Sequence, residues 1–370
     1  MKRTFLYVAL GAILIVLRGA PSADPIDVKD VLKEIYAIPA ATGNEEQLTA
    51  KIIALLPKGL AVEKDNLGSL FGRLGQGEAG LTVVAGLDEF GYAVSNVLVD
   101  GYLQLDRLGQ PPLGIYDSFL IGHPVVVSTK AGLRNGIVVQ PAMHVLTQEL
   151  RDKLSRNLTL DLVYVDVGAH SEAEARAKGI EILDPVTLSQ DMATLANGRL
   201  AGPAIGQKAA CAALTALADS LFGSKVPQTV SVAWMAQSRM SARGARASLG
   251  AIRAKNRFNP KATVVLGAVS ADRGEKSPVF GKGPVILQAK DSPSPLRDAI
   301  DAAAKEKNIA LQYQSGIESP LLAPFLGEGA DAVILALPVK FFGTPSEVVE
   351  TKDIQSLVDI VSAVCSRRGK

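Results

Sequence analysis

Three histidines, two cysteines and a few adjacent acids are the residues of this chain that could carry chemistry, and their spacing excludes most of it. His123, His144 and His170 stand too far apart to form the His-x-x-x-His pair that grips zinc from one face of a helix, and each lies in a turn-like context. Structural polar roles are expected of them. Cys211 falls in AACAALTALA, an apolar helical stretch, so a buried and inert thiol is expected there. With Cys365 it could form one disulfide and no cysteine-rich metal site. No Gly-x-Ser-x-Gly elbow, phosphate-binding loop or Gly-x-Gly-x-x-Gly dinucleotide turn occurs in the sequence. Residue types alone reveal no active site.

The elements that would position a site are clearer. After the first residues, VKDVLKEIYAI and NEEQLTAKIIALL carry apolar residues at helical spacing, with Thr42-Gly43-Asn44 as the turn and cap between them. LTVVAGL, LDLVYVDVG, TVSVAWMA, ATVVLGAVS and DAVILALPV read as buried strands alternating with helical segments such as QKAACAALTALADSL. This predicts an α/β sheet with helices on its faces. Between residues 92 and 157 the pattern changes to short strands and many turns, as in YAVSNVLVDGYLQL, HPVVVSTKAG and NGIVVQP, which predicts a small inserted β-barrel domain. The α/β domain then comprises residues 24–91 and 158–370.

Bulk properties bound the function. With 370 residues and 48% hydrophobic content the chain can bury a large core. Lys and Arg total 39 against 37 for Asp and Glu, scattered without long runs, so no nucleic-acid surface is expected and a small-molecule or protein partner is favoured. Lys2 and Arg3 precede an apolar run from Phe5 to Leu17 and the small-residue stretch Gly19-Ala20-Pro21-Ser22-Ala23. That is the layout of a secretory signal, with cleavage after Ser22 or Ala23, or of an uncleaved anchor shorter than the roughly 20 residues of a spanning helix. Residues 1–23 are therefore set apart, and the folded part is expected to be exported. Contact with a membrane is expected only through that segment.

AGLDEFGYAVSNVLVDGYLQLDRLGQ resembles the first metal-site segment of the glutamyl aminopeptidase and cellulase-M family, peptidase family M forty-two, whose characteristic form is His-x-Asp-Glu-x-Gly-Phe. PAATGNEEQ, DNLGSL, the PAMH turn, DVGAHSEAEARAKGI, QSRMSARGA and LPVKFFGTPSEVVETKD extend the likeness in order along the chain. The resemblance implies a zinc-aminopeptidase-like α/β/α sandwich with an inserted β-barrel. It also implies two metal ions at the strand ends, a glutamate base and large symmetric assemblies formed through the barrel.

Carried over residue by residue, the resemblance places the metal ligands on Gly86, Gly206, Arg239, Gly267 and Gly343, and the general base on Ser238. Asp88 and Glu89 keep their family positions. Glycine offers a metal no side-chain donor, and an arginine guanidinium repels one. No metal or other cofactor is therefore expected. Four glycines in place of large polar groups are expected to leave an open pocket, toward which Arg239, Lys208 and Lys340 would point. A peptide carboxylate or another small anion gripped by Arg239 is one reading of that pocket. In the other, Arg239 pairs with Asp88 or Glu89 and plugs it.

The functional expectation that follows is an exported, catalytically inactive relative, a pseudo-peptidase serving as a binding or scaffolding protein. Two alternatives stand beside it: a residual hydrolase without metals, with Ser238 as nucleophile and Lys208 as base, and a structural subunit of a homo- or hetero-oligomer.

Overall fold

Four of the five apolar runs read as buried strands lie side by side in one sheet of the computed structural model. The structure describes residues 26–367 apart from 77–78, 157–159, 256–260, 272–273, 275–276, 289–292 and 317–318. The export signal expected over residues 1–23 lies outside the described residues.

In chain order the strands are β1 (Val62–Lys64), β2 (Leu70–Leu74), β3 (Ala79–Gly86), β4 (Gly91–Val97), β5 (Leu103–Leu108), β6 (Pro124–Thr129), β7 (Gly132–Val139), β8 (Tyr164–Asp166), β9 (Pro185–Leu188), β10 (Ala193–Leu195), β11 (Arg199–Gly202), β12 (Thr229–Met235), β13 (Ala262–Ser270), β14 (Val285–Ile286), β15 (Gln312–Tyr313), β16 (Asp331–Val339) and β17 (Glu347–Glu350). The helices are α1 (Val28–Tyr36), α2 (Glu46–Leu55), α3 (Gln148–Arg156), α4 (Glu172–Ala177), α5 (Ile205–Phe222), α6 (Arg243–Lys255), α7 (Pro295–Glu306), α8 (Ala323–Gly327) and α9 (Thr351–Cys365).

The main sheet runs β1-β2-β12-β3-β13-β16-β14-β15, and its centre, β12-β3-β13-β16, is parallel. Successive side chains of a strand leave on opposite faces. Val83, Val232, Val264 and Leu335 accordingly join a core with α1, α5 and α9, and Val84, Ala233, Val265 and Ile334 join a second one with α6 and α8. Covered on both faces, these strands are continuous apolar runs rather than alternating ones. The result is the expected α/β/α sandwich. Along α5 nearly every residue is buried, which its alanines permit by letting the helix lie close to the sheet.

Six strands, in the order β4-β5-β8-β7-β6-β9, close a separate barrel around Val94, Leu103, Val127 and Val165. Its last strands, β8 and β9, lie beyond residue 157, so the insert runs from Gly91 to Leu188 rather than ending at 157. LDLVYVDVG, read as a strand of the main sheet, supplies β8. At three residues, β8 is too short for its apolar pattern to tell which sheet it joins.

Candidate active site

The parallel strands β3, β12, β13 and β16 end on one side of the sheet, and the segments that follow them meet there under the barrel. Open α/β sheets bind ligands at such carboxyl ends. Asp88 and Glu89 follow β3, residues 237–239 follow β12, and the turn holding Phe342 and Gly343 follows β16.

The loop after β12 bends through left-handed residues, with φ of 51° at Gln237 and at Ser241 and 53° at Ala242. Two buried carboxylates hold it. Glu45 Oε1 accepts the Gln237 N–H at 2.8 Å, and Asp88 accepts those of Ser238 at 2.7 Å and Arg239 at 3.0 Å. Asp88 also accepts the Thr42 hydroxyl at 2.8 Å, so its three bonds tie the loop to Thr42, and none of them comes from the Arg239 guanidinium. Burial, reinforced by the charge of Asp88, pushes the Glu45 carboxyl up to about 7.

Two cavities adjoin across Arg239. A small chamber of about 50 Å³ is lined by Glu89, Tyr116, Gln190, Gln207, Arg239 and Glu347, among others. Beside it a cleft of about 340 Å³ runs along the end of β13 past Ser238, Gly267, Leu321 and Phe342. Arg239, Gln207, Ala268, Pro112 and Phe342 border both. The Arg239 Nε and the Gln190 Oε1 are buried without hydrogen-bond partners, a donor and an acceptor at one chamber. Glu347 receives the N–H of Gly206 at 3.0 Å and that of Gly343 at 2.8 Å, which seats it at the N-terminus of α5. Burial raises its pKa against those hydrogen bonds and the Arg239 charge. Burial likewise raises that of Glu89, opposed first by Lys208.

Several positions picked out in the sequence differ from expectation. Lys208 is fully buried, donates to the Ile38 carbonyl and lies 3.8 Å from Glu89 Oε1. It borders neither cavity and is no base for Ser238. Lys340 sits over the Phe280 ring, 5.4 Å from its centre, and also lies away from both. Of the three cations only Arg239 reaches the pocket. Arg239 is not paired with Asp88 or Glu89 as a plug: its Nε has no partner, while Asp88 holds the loop main chain and Glu89 accepts the Ala40 N–H and the Gln190 amide. Glu347, Gln190 and Tyr116 escaped sequence reasoning. Glu347 alone had a signal, as a carboxyl four residues after Gly343 in the same turn.

The glycines do not leave the open space expected of them. A Cβ at Gly86 would lie 2.4 Å from Gln207 Nε2 and 2.8 Å from Ser238 Oγ. One at Gly206 would meet Ala268 Cβ at 2.8 Å, and one at Gly343, where φ is +78°, would meet Leu113 Cγ at 2.8 Å. Neighbours have moved into three of the four positions. Only Gly267 stays open, its nearest such contact being Ile334 Cγ2 at 3.7 Å. Among the described residues no group of three or more His, Cys, Asp or Glu could hold a metal ion. The donors present among the described residues do not fit a two-metal centre.

The histidines are elsewhere. His123 closes the turn before β6 with Nδ1 buried and unpartnered, and His144 and His170 are exposed. Both cysteines are free and buried, and burial pushes the Cys211 thiol up to about 12.

Residues 68–360 match the model of a protein family described as M42 glutamyl aminopeptidase. Lysyl aminopeptidase of Pyrococcus furiosus is 24% identical over 346 residues, covering 90% of this chain and 96% of that one. The putative aminopeptidase FrvX of Escherichia coli K12 is 23% identical over 346 residues, covering 90% and 93%. The TET1 peptidase of Pyrococcus horikoshii, which can assemble into a tetrahedron or a large octahedral shell, superposes with a TM-score of 0.80 at 21% identity over 92% of this chain and 100% of that one. These relatives are named as aminopeptidases and peptidases. They overturn the reading of the chain as a catalytically inactive binding or scaffolding protein, which rested on the missing metal ligands and general base.

Proposed function

The chain belongs to the glutamyl aminopeptidase family matched over residues 68–360, and from that premise we propose that it is a peptide hydrolase of the aminopeptidase class. One observation carries the reading: a chamber holding two buried carboxyls and one guanidinium opens onto a cleft at the carboxyl ends of the parallel strands. About 50 Å³ is room for a peptide's ammonium group or a water or two, and about 340 Å³ is near the lower end of ligand-site volumes.

The peptide's ammonium group enters the chamber, accepted by Glu89 and by the unpartnered Gln190 Oε1. Its first peptide bond then reaches the border between the two cavities. There Glu347 takes a proton from water as the new C–O bond forms, and Arg239 takes the charge that develops on the carbonyl oxygen. The C–N bond then breaks, and Glu347 passes the proton to the departing nitrogen. The Gly206 and Gly343 N–H groups and the Arg239 charge favour the charged form of Glu347, the form that takes the proton, against the burial that opposes it.

Purified protein incubated with short peptides, free or N-acetylated, tests this by mass spectrometry. Release of the first residue from free peptides only is expected, with Glu347→Gln slowing it about 10²-fold or more. Equal cleavage of acetylated peptides would remove the assignment of the amino end, and absence of cleavage would remove the function.

Two further readings belong to the proposal. Self-assembly through the barrel is supported by Val99 and Leu183, which expose 85% and 75% of their surface there. Export is supported by the basic, apolar and small-residue order of residues 2–23. No helix among the described residues is long and apolar enough to cross a membrane.

A further inference from the structure

A strand in a sheet sends the N–H and C=O groups of alternate residues to opposite neighbours. Ala271 N donates to Val339 O of β16, so by that alternation Val269 and Gly267 also face β16, while Leu266 and Ala268 face β3. But β3 accompanies β13 only from Thr263 to Leu266. The carbonyl of its last residue, Gly86, accepts from Gln207 Nε2 at 2.9 Å, and the next N–H, that of Leu87, turns away to Met235 O of β12. Ala268 is thus left one rung past the end of its neighbour. The register with β3 stops at Leu266, so no rung of that strand stands opposite the Ala268 N–H and C=O.

That rung lies where the proposed reaction would take place. Ala268 borders both the chamber and the cleft, Gly267 beside it carries no side chain, and Arg239 stands at the same border. A free N–H and C=O on a strand edge are a template for an extended chain, which supplies the complementary carbonyl and amide. We propose that the cleft takes its ligand as an added strand: an extended peptide, read through its main chain, gives one carbonyl to Ala268 N–H and one N–H to Ala268 O. The inference rests on the peptidase reading and names what the site recognises, a backbone rather than a particular side chain. The peptide's extended path past Ala268 is what carries its first peptide bond to Arg239 and Glu347.

Residue-resolved hydrogen exchange on the intact protein, with and without an excess of an unblocked alanine-rich tetrapeptide, tests it, together with the affinities of the singly N-methylated versions of that peptide. The Ala268 amide is expected to exchange about tenfold more slowly with peptide present. N-methylation at one internal amide is expected to weaken binding up to about tenfold, the worth of one lost hydrogen bond, while side-chain changes on the peptide matter less. Unchanged exchange at Ala268 under saturating peptide would overturn the strand addition, as would failure of every peptide to bind. Slowed exchange without any cleavage would leave it standing and remove the hydrolase reading instead. Cleavage with unchanged exchange would do the reverse.

Discussion

Gly86 shows how the site closes over a missing side chain. Gln207 and Ser238 stand where a side chain at 86 would go, and Gln207 is bonded to the Gly86 carbonyl. Gly86→His therefore overpacks the site before it offers a ligand, and a cost of about 1–3 kcal/mol in urea unfolding is expected. Adding zinc is expected to recover none of it; a zinc-dependent rise in the variant's stability would show that the space can be reopened. Glu45 makes a separate prediction. Its folded pKa is raised to about 7 from an ordinary 4.5, so the stability it contributes is present below pH 4.5 and is lost as pH rises through about 7. Glu45→Gln keeps an oxygen for the N–H groups of Gly43 and Gln237 and removes the titration. Between pH 4.5 and 8 the wild type is expected to lose about 1–3 kcal/mol relative to this variant. Glu89, Glu347 and Asp353, also raised by burial, are common to both proteins and cancel in the comparison. Parallel pH profiles would show that folding does not raise the Glu45 pKa.

At the scale of elements, legibility followed burial and length. Strands β3, β12, β13 and β16, covered on both faces and seven to nine residues long, could be read directly from their apolar runs. The barrel was legible as a change of pattern, but its closing strands were not, because β8 and β9 have only three and four residues. The site divides in the same way. Asp88, Glu89, Ser238 and Arg239 are neighbours in sequence of recognisable motifs. Glu347 meets Arg239 only because α5, β16 and the turn after it converge, and Lys208 turns away because its helix buries it against Ile38 and Glu89. Direction of a side chain in three dimensions was not written in the spacing. The barrel carries its own prediction. Val99 follows β4 and Leu183 precedes β9, and both are exposed apolar residues. If the barrel joins copies of the chain, light scattering should give a mass several times 38.8 kDa, and Val99→Lys with Leu183→Lys should lower it toward one chain. An unchanged multiple in the double variant would place the interface elsewhere.

The whole molecule combines a family framework with residues at the strand ends that do not make a two-metal donor set. The sandwich and the barrel are those of an aminopeptidase, and the strand ends still meet beneath the barrel. What meets there is Glu89, Arg239, Gln207 and Glu347 in place of a two-metal donor set. Catalysis by these groups alone implies that turnover does not track divalent metal. The most direct measurement is release of the N-terminal residue from unblocked short peptides by protein stripped with a strong chelator, followed by mass spectrometry beside Glu347→Gln. Release that persists after stripping, does not rise on adding zinc or cobalt, and falls at least about 10²-fold in Glu347→Gln is expected. Release only after metal is restored, or none from any peptide under either condition, would contradict it.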